Sequence, residues 1–233
     1  MRPRFSICIP VWEQHGYGLN YLNDLINSIK IQDFKDFEII ISDHSKDDII
    51  LNYILDIKHQ KLFHGTYVGY SGNYGNGVAN LNNALKVAEG EIIKIMFQDD
   101  LMFDRSCLSK FNKAFENKKT KWVVCGCNHT KDGLNFERPM VPCWNDKLLE
   151  GINTISSPSV LAFLNEDIKL FDEKLTMLMD VEYYYRLGER YGLPAVIEDC
   201  LVTNRCHNNQ ISSRYSGNLE EEIKYCRKKY DCN

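Results

Sequence analysis

The chain has 233 residues, 44% hydrophobic and 26% charged, with a formal net charge of -4. That length supports one good core, and the composition is that of a soluble globular protein. The acidic balance argues against a general nucleic-acid binder, which carries a basic surplus, but leaves a nucleotide open as ligand.

Residues 1–10, MRPRFSICIP, hold only a short apolar run before Pro10, so neither a signal peptide nor a membrane span is expected and the chain is placed in the cytosol. Nine cysteines, an odd number without CxxC spacing, suit reduced thiols better than a disulfide framework or a structural zinc site. Asn128-His129-Thr130 fits a glycosylation sequon that should be inert without secretion.

Phe5 to Ile9 predicts a first strand ended by Pro10, which breaks into VWEQHGYG, a loop whose Trp12 and Glu13 are placed to receive a base or ribose or to form a plain surface turn. Leu22, Leu25, Ile26 and Ile29 keep helical spacing across Tyr21 to Ile31. Phe37 to Ile41 reads as a second strand with Asp43 just past it, and Ser45 or Asp47 offers a cap for a helix through about Leu55. Taken alone, Asp43 is as readily a turn residue as a ligand. Leu62 to His64 gives a weak third strand before the glycine-rich HGTYVGYSGNYGNG, which matches neither GxxxxGK[ST] nor GxGxxG. A P-loop kinase or dinucleotide enzyme is therefore disfavoured.

Gly77 to Phe103, GVANLNNALKVAEGEIIKIMFQDDLMF, is the densest stretch. Asn82, Ala84, Leu85 and Ala88 share one helical face, Gly90 stops the helix, and Ile92 to Phe97 is an apolar run of buried-strand type ending at Asp99 and Asp100. Adjacent carboxylates repel unless a cation or donors compensate, and at the end of a buried strand they stand where open α/β sheets bind ligands. A hard divalent cation carrying phosphate explains them economically; a polar turn is the plain alternative. Strand and helix alternate three times before Asp99, so an α/β fold is expected, with a mostly parallel central sheet and helices on both faces.

After Asp104, Leu108, Phe111, Ala114 and Phe115 predict a helix, then Trp122 to Cys125 a strand. From Asn128 to Asn153 the pattern dissolves into what reads as a substrate lid or acceptor wall, and Val160 to Leu164 is a further apolar run. In MLMDVEYYYRLGERY, Asp180 starts a helix and Glu182 pairs with Arg186 at i,i+4 spacing. A helix N-terminus lowers a carboxylate's pKa, so a base there needs desolvation to offset it. Pro194 to Ile197 is a short late strand, RCHNNQISSR a polar loop, and the segment from Asn218 a terminal helix with a charged face.

Five stretches, SICIPVWE, IIISDHS, NLNNALKVAEGEIIKIMFQDD, LMDVEYYYRL and RCHNNQIS, occur in the order found in the inverting glycosyltransferases of family 2, and nearly the whole chain resembles that family. The resemblance implies the nucleotide-diphospho-sugar transferase (GT-A) fold, one domain over 1–233 with a donor half (1–103) and an acceptor half (104–233) that includes a small acceptor-side subregion. It implies that Pro10, Val11 and Glu13 line the nucleotide pocket, that Asp43 hydrogen-bonds the base, and that Asn82 helps fix the nucleotide-binding face. Asp99 takes the metal-binding place of the DXD motif, and Asp180 takes the catalytic-base place. His207 matches a late histidine that approaches metal or pyrophosphate. Phe97 replaces the usual first acid and Gln98 stands between it and Asp99, so Asp100 is the candidate to take over a missing contact; Met179 replaces the usual Glu before the base.

The implied cofactor is Mn2+ or Mg2+, between which oxygen ligands do not choose, and the implied donor is a nucleotide-diphosphate sugar of UDP type. The expected acceptor is a glycan or glycoconjugate hydroxyl, with no nucleic-acid partner. The metal stabilises charge on the leaving diphosphate while Asp180 takes the acceptor's proton, help worth about 10²–10⁴-fold. One base without a covalent nucleophile means one displacement, hence inversion. Two other classes stand beside this: a sugar nucleotidyltransferase, which should carry a basic glycine-rich loop where VWEQHGYG has no Lys or Arg, and a catalytically silent sugar- or nucleotide-binding module.

Overall fold

The computed structural model describes residues 2–13, 16–60, 65–72, 75–166, 170–215 and 217–230. The first half alternates strand and helix: β1 (Phe5–Val11), α1 (Gly18–Lys30), β2 (Phe37–Asp43), α2 (Ile49–His59), β3 (Gly65–Gly69), α3 (Gly77–Lys86) and β4 (Ile92–Ile95). The second half is less regular, with β5 (Leu101–Met102), α4 (Cys107–Ala114), β6 (Trp122–Thr130), β7 (Phe136–Met140), β8 (Leu161–Leu164), α5 (Met179–Tyr191), β9 (Ala195–Arg205), α6 (Ile211–Arg214) and α7 (Leu219–Lys229).

These strands form a single sheet in the order β3-β2-β1-β4-β8-β6-β9-β5, with β7 beside β6. β1 to β4 pair in parallel, and β6 and β9 run the same way, whereas β5, β7 and β8 run against them. Phe5, Ser6, Ile7, Cys8 and Ile9 are all fully buried, so both faces of β1 are covered, as parallel sheets require. Leu22, Leu25, Ile26 and Ile29 bury the inner stripe of α1, each worth about 1.5–3 kcal/mol of transfer free energy.

Several boundaries differ from the expectation, each for a local reason. β1 runs on through Pro10, because β4 pairs only up to Cys8 on that side and no partner there asks for the missing N–H. The expected strand at Leu62 to His64 lies outside the described residues, and the observed third strand is β3. α3 ends at Lys86, before Gly90. Gly90 serves a close approach instead, since a Cβ there would lie 2.4 Å from the backbone nitrogen of Ser6. The stretch from Asn128, expected to be irregular, contains the end of β6 and the hairpin strand β7, whose residues are almost all exposed and so lack an apolar signature. β9 is an eleven-residue strand rather than a short one.

Glu222 of α7 fixes the start of α5. Its carboxylate accepts from the backbone amides of Thr176, Met177 and Leu178 at 2.9–3.3 Å, satisfying amides at the entry to that helix. All eight cysteines among the described residues are free. Among these residues no helix is long and apolar enough to cross a membrane.

Candidate active site

The C-terminal ends of β1, β2 and β4 converge on one edge of the sheet. Val11 and Asp43 are register partners there, and the buried Asn80 of α3 ties the two strand ends together, donating to the Val11 carbonyl and accepting from Ser42 Oγ. Asp43 Oδ1 accepts from the Ser45 amide and Oδ2 from the Tyr67 hydroxyl, each at 2.8 Å, so the carboxylate is held at the mouth of the β2 loop. Pro10 is register partner to Ser42, one step inside.

Glu13 and Gln98 are engaged by the protein itself. Glu13 accepts from the amides of Gly16, Gly18 and Leu19 at 2.7, 3.3 and 2.8 Å, so its carboxylate caps the N-terminus of α1. The loop closes so tightly that a Cβ on Gly18 would lie 2.5 Å from the Trp12 carbonyl oxygen. Gln98 grips the Trp12 backbone through both amide groups, at 2.6 and 2.8 Å. The resulting loop leaves the Trp12 ring 41% exposed at the site's edge. Asn82, expected on the nucleotide face, is fully buried and clamps the Phe171 backbone from both sides at 2.8 and 2.9 Å. Its observed work is to hold the segment before α5 against α3.

Asp99 and His207, distant in sequence, meet with Oδ2 and Nε2 2.9 Å apart. Arg205 makes that meeting possible: its guanidinium donates to the Asp99 carbonyl and to Asp24, and lies 4.7 Å from the centre of the Tyr21 ring. Asp100 departs from the expected metal set. Its side chain turns inward, accepting from the Arg205 amide at 3.0 Å and from Ser157 Oγ at 3.4 Å. Burial and the neighbouring Asp99 push its carboxyl up from the usual carboxylate range.

Among the described residues no three His, Cys, Asp or Glu side chains are gathered to hold a metal ion. Asp99 and His207 nevertheless fit a hard divalent ion that takes one or two protein ligands and completes its shell with phosphate oxygens and water. They meet just past the end of β4, while the Asp100 carboxylate is engaged by the Arg205 amide.

Asp180 lies in the first turn of α5 and is half-buried. Its Oδ1 accepts from the Val181 amide at 2.7 Å and its Oδ2 from Asn153 Nδ2 at 2.8 Å. Desolvation outweighs those donors, and the carboxyl is raised to about 7, with Glu222 adding to the rise.

A series of hydrogen bonds, crossing Ser156 from its carbonyl to its hydroxyl, joins Asp180 to the acidic strand end. From Asp180 it passes through Asn153 to the Ser156 carbonyl, from Ser156 Oγ to Asn204, and from Asn204 through Ser157 Oγ to Asp100. Lys94, fully buried, donates to the Ser159 carbonyl and pins the next turn to β4. Sequence reasoning singled out none of Asn153, Ser156, Asn204 or Lys94, because isolated polar residues whose partners are far along the chain leave no spacing pattern. Arg205 heads the RCHNNQIS stretch that contains His207, which was the one available signal.

Trp144 and Tyr183 to Tyr185 pack within or against the core. Tyr184 is fully buried and stacks on Trp122, Tyr183 stacks on Phe171 at 3.8 Å, and Trp144 packs edge-on against Trp122.

A family model for glycosyl transferase family 2 matches residues 6–176. An uncharacterized glycosyltransferase of Rickettsia typhi is 28% identical over 94% of this chain and 69% of its own length. The chain spans about a third of several other curated relatives, for example 32% of one from Rickettsia bellii and 36% of one from Rickettsia conorii. Residues 1–349 of S. aureus TarS, solved with UDP-GlcNAc, share the fold at a TM-score of 0.69 and 18% identity, covering 94% of this chain and 63% of that one. The mannosyltransferase PcManGT of Pyrobaculum calidifontis, solved with GDP-Man and Mn2+, has a TM-score of 0.64 at 18% identity over 88% and 57% of the two chains.

Proposed function

The chain belongs to glycosyl transferase family 2, and from that premise we propose that it is a metal-dependent, inverting glycosyltransferase. The donor is a nucleotide-diphosphate sugar, UDP-linked in this reading, and the acceptor a hydroxyl of a glycan or glycoconjugate. Residues 1–103 form the donor half and 104–233 the acceptor half. The observation that supports the proposal is the series of contacts through Asn153, Ser156, Asn204 and Ser157, which runs from Asp180 to Asp100, the residue next to the Asp99 that meets His207. The ligands of TarS and PcManGT support the choice of donor class and of manganese.

Asp43 holds the base and the loop from Pro10 to Glu13 forms the nucleotide wall, with Glu13, Gln98 and Asn82 shaping that wall through backbone contacts rather than touching the donor. Asp99 and His207 would hold the divalent ion, whose chemistry when bound would be Lewis-acid stabilisation of charge on a leaving diphosphate. Asp180 accepts the acceptor's hydroxyl proton as its oxygen attacks the anomeric carbon. A carboxylate titrating near 7 is well matched to that transfer at neutral pH.

The test is a panel of nucleotide sugars followed by thermal shift with manganese and with EDTA. Selective, manganese-dependent stabilisation by one donor is expected, since stabilisation grows with ligand concentration relative to Kd. No stabilisation by any member would remove the donor assignment. Hydrolysis or transfer from that donor separates the enzyme from a silent binding module.

A further inference from the structure

We infer that Asn153 is a positioning residue for Asp180: its amide, locked in one orientation by the turn it belongs to, aims the carboxylate and favours its anionic form. This rests on Asp180 being the base. Oδ1 of Asn153 accepts from the amides of Ile155 and Ser156, both at 2.9 Å, so its NH2 group must face the other way. There it donates to Asp180 Oδ2 at 2.8 Å and to the Ser156 carbonyl at 3.1 Å. Rotating the amide would set N–H against N–H on one side and oxygen against oxygen on the other.

The turn is held by contacts from β9, β6 and α5 and from the segment after β7. Ser156 adopts a φ of +99°, a left-handed conformation uncommon for a residue with a side chain. Its Oγ accepts from Asn204 of β9 at 2.7 Å and from Cys127 of β6 at 3.4 Å, and its carbonyl accepts from Tyr184 of α5 at 3.0 Å. Thr154 binds the Cys143 carbonyl at 2.7 Å. A backbone forced into a sparsely populated region and secured on every side is a feature of sites that need a fixed geometry. Here the group so fixed is the donor to Asp180.

Other groups bearing on Asp180 are Glu222 from α7, whose charge opposes ionisation, the Val181 amide, which favours it, and Tyr184, one turn along α5, whose phenol burial holds neutral. Asn153 is thus the side-chain donor that offsets burial and Glu222.

The experiment compares kcat/KM against pH for the wild type, Asn153→Ala, Asn153→Asp and Thr154→Val. A hydrogen bond to a charged group is worth enough to move a pKa by about one unit. Asn153→Ala should therefore shift the acid limb up by about one unit, giving about a tenfold deficit at pH 6 that closes by pH 9. Asn153→Asp keeps an oxygen for the turn amides but sets a second carboxylate against Asp180, and should shift the limb further. Thr154→Val loosens the same segment and should leave the limb in place. Carboxyl 13C NMR of the resting protein, with Asp180 assigned by its loss in Asp180→Asn, reads the same shift without turnover. A pH-independent loss of rate with an unmoved Asp180 titration would overturn the inference. Full turnover in Asp180→Asn would instead overturn the base, whatever the NMR shows.

Discussion

At Asp180 four effects compete over one proton. The amide of Val181 and the Asn153 side chain favour the carboxylate, while burial and Glu222 favour the acid, and the balance leaves the group raised to about 7. A rise from the usual range means the folded state binds this proton more tightly. Its contribution to stability is full below about pH 4 and is lost as pH climbs through about 7. The Tm of Asp180→Asn measured relative to wild type should accordingly improve between pH 4 and pH 8, while its transfer rate falls by about 10²–10⁴-fold with donor affinity kept. A rate unchanged from wild type would take the base role from Asp180. Asp99→Ala should weaken donor binding by about tenfold or more in manganese and not at all in EDTA, as read by titration calorimetry. The role expected of Asp180 could be formulated from LMDVEYYYRL, but the size of its desolvation could not, because its surroundings come from α7 and the Asn153 turn. For the same reason Asp100 looked like a ligand: two adjacent aspartates read alike until one is seen to turn toward the Arg205 amide.

Between elements, position is secured by buried amides. Asn82 holds Phe171 at both backbone groups, and Asn82→Ala would strand a buried N–H and C=O, a loss of about 1–3 kcal/mol that urea unfolding would measure. The same substitution should reduce turnover if the segment from Phe171 to α5 must stay docked for Asp180 to face the donor; wild-type stability in the variant would show that the clamp is dispensable. Helical periodicity revealed α1 and α5, and the apolar runs revealed β1, β2 and β4, since each buries a stripe that the sequence displays directly. β7 was hidden because its residues face solvent, and β9 was underestimated because exposed positions alternate along its first half. Gly90 was misread as a helix stop, although its position against Ser6 is a packing requirement between α3's exit and β1.

Across the whole molecule, β1, β2 and β4 end together at the edge proposed to receive a nucleotide, and β9, parallel to β6, ends where Arg205 and His207 meet Asp99. The family and fold were legible because five ordered stretches define that arrangement. The connection from Asp100 to Asp180 was not, because most of its steps join residues some 27 to 57 positions apart. The proposed reaction is a single displacement, in which the diphosphate would leave on the Asp99 side and Asp180 would take the proton of the incoming hydroxyl. The anomeric configuration of the isolated product, read from the proton coupling constant of its new linkage by NMR, tests this most directly. The account predicts a configuration opposite to that of the donor; a product that retains the donor's configuration would contradict it.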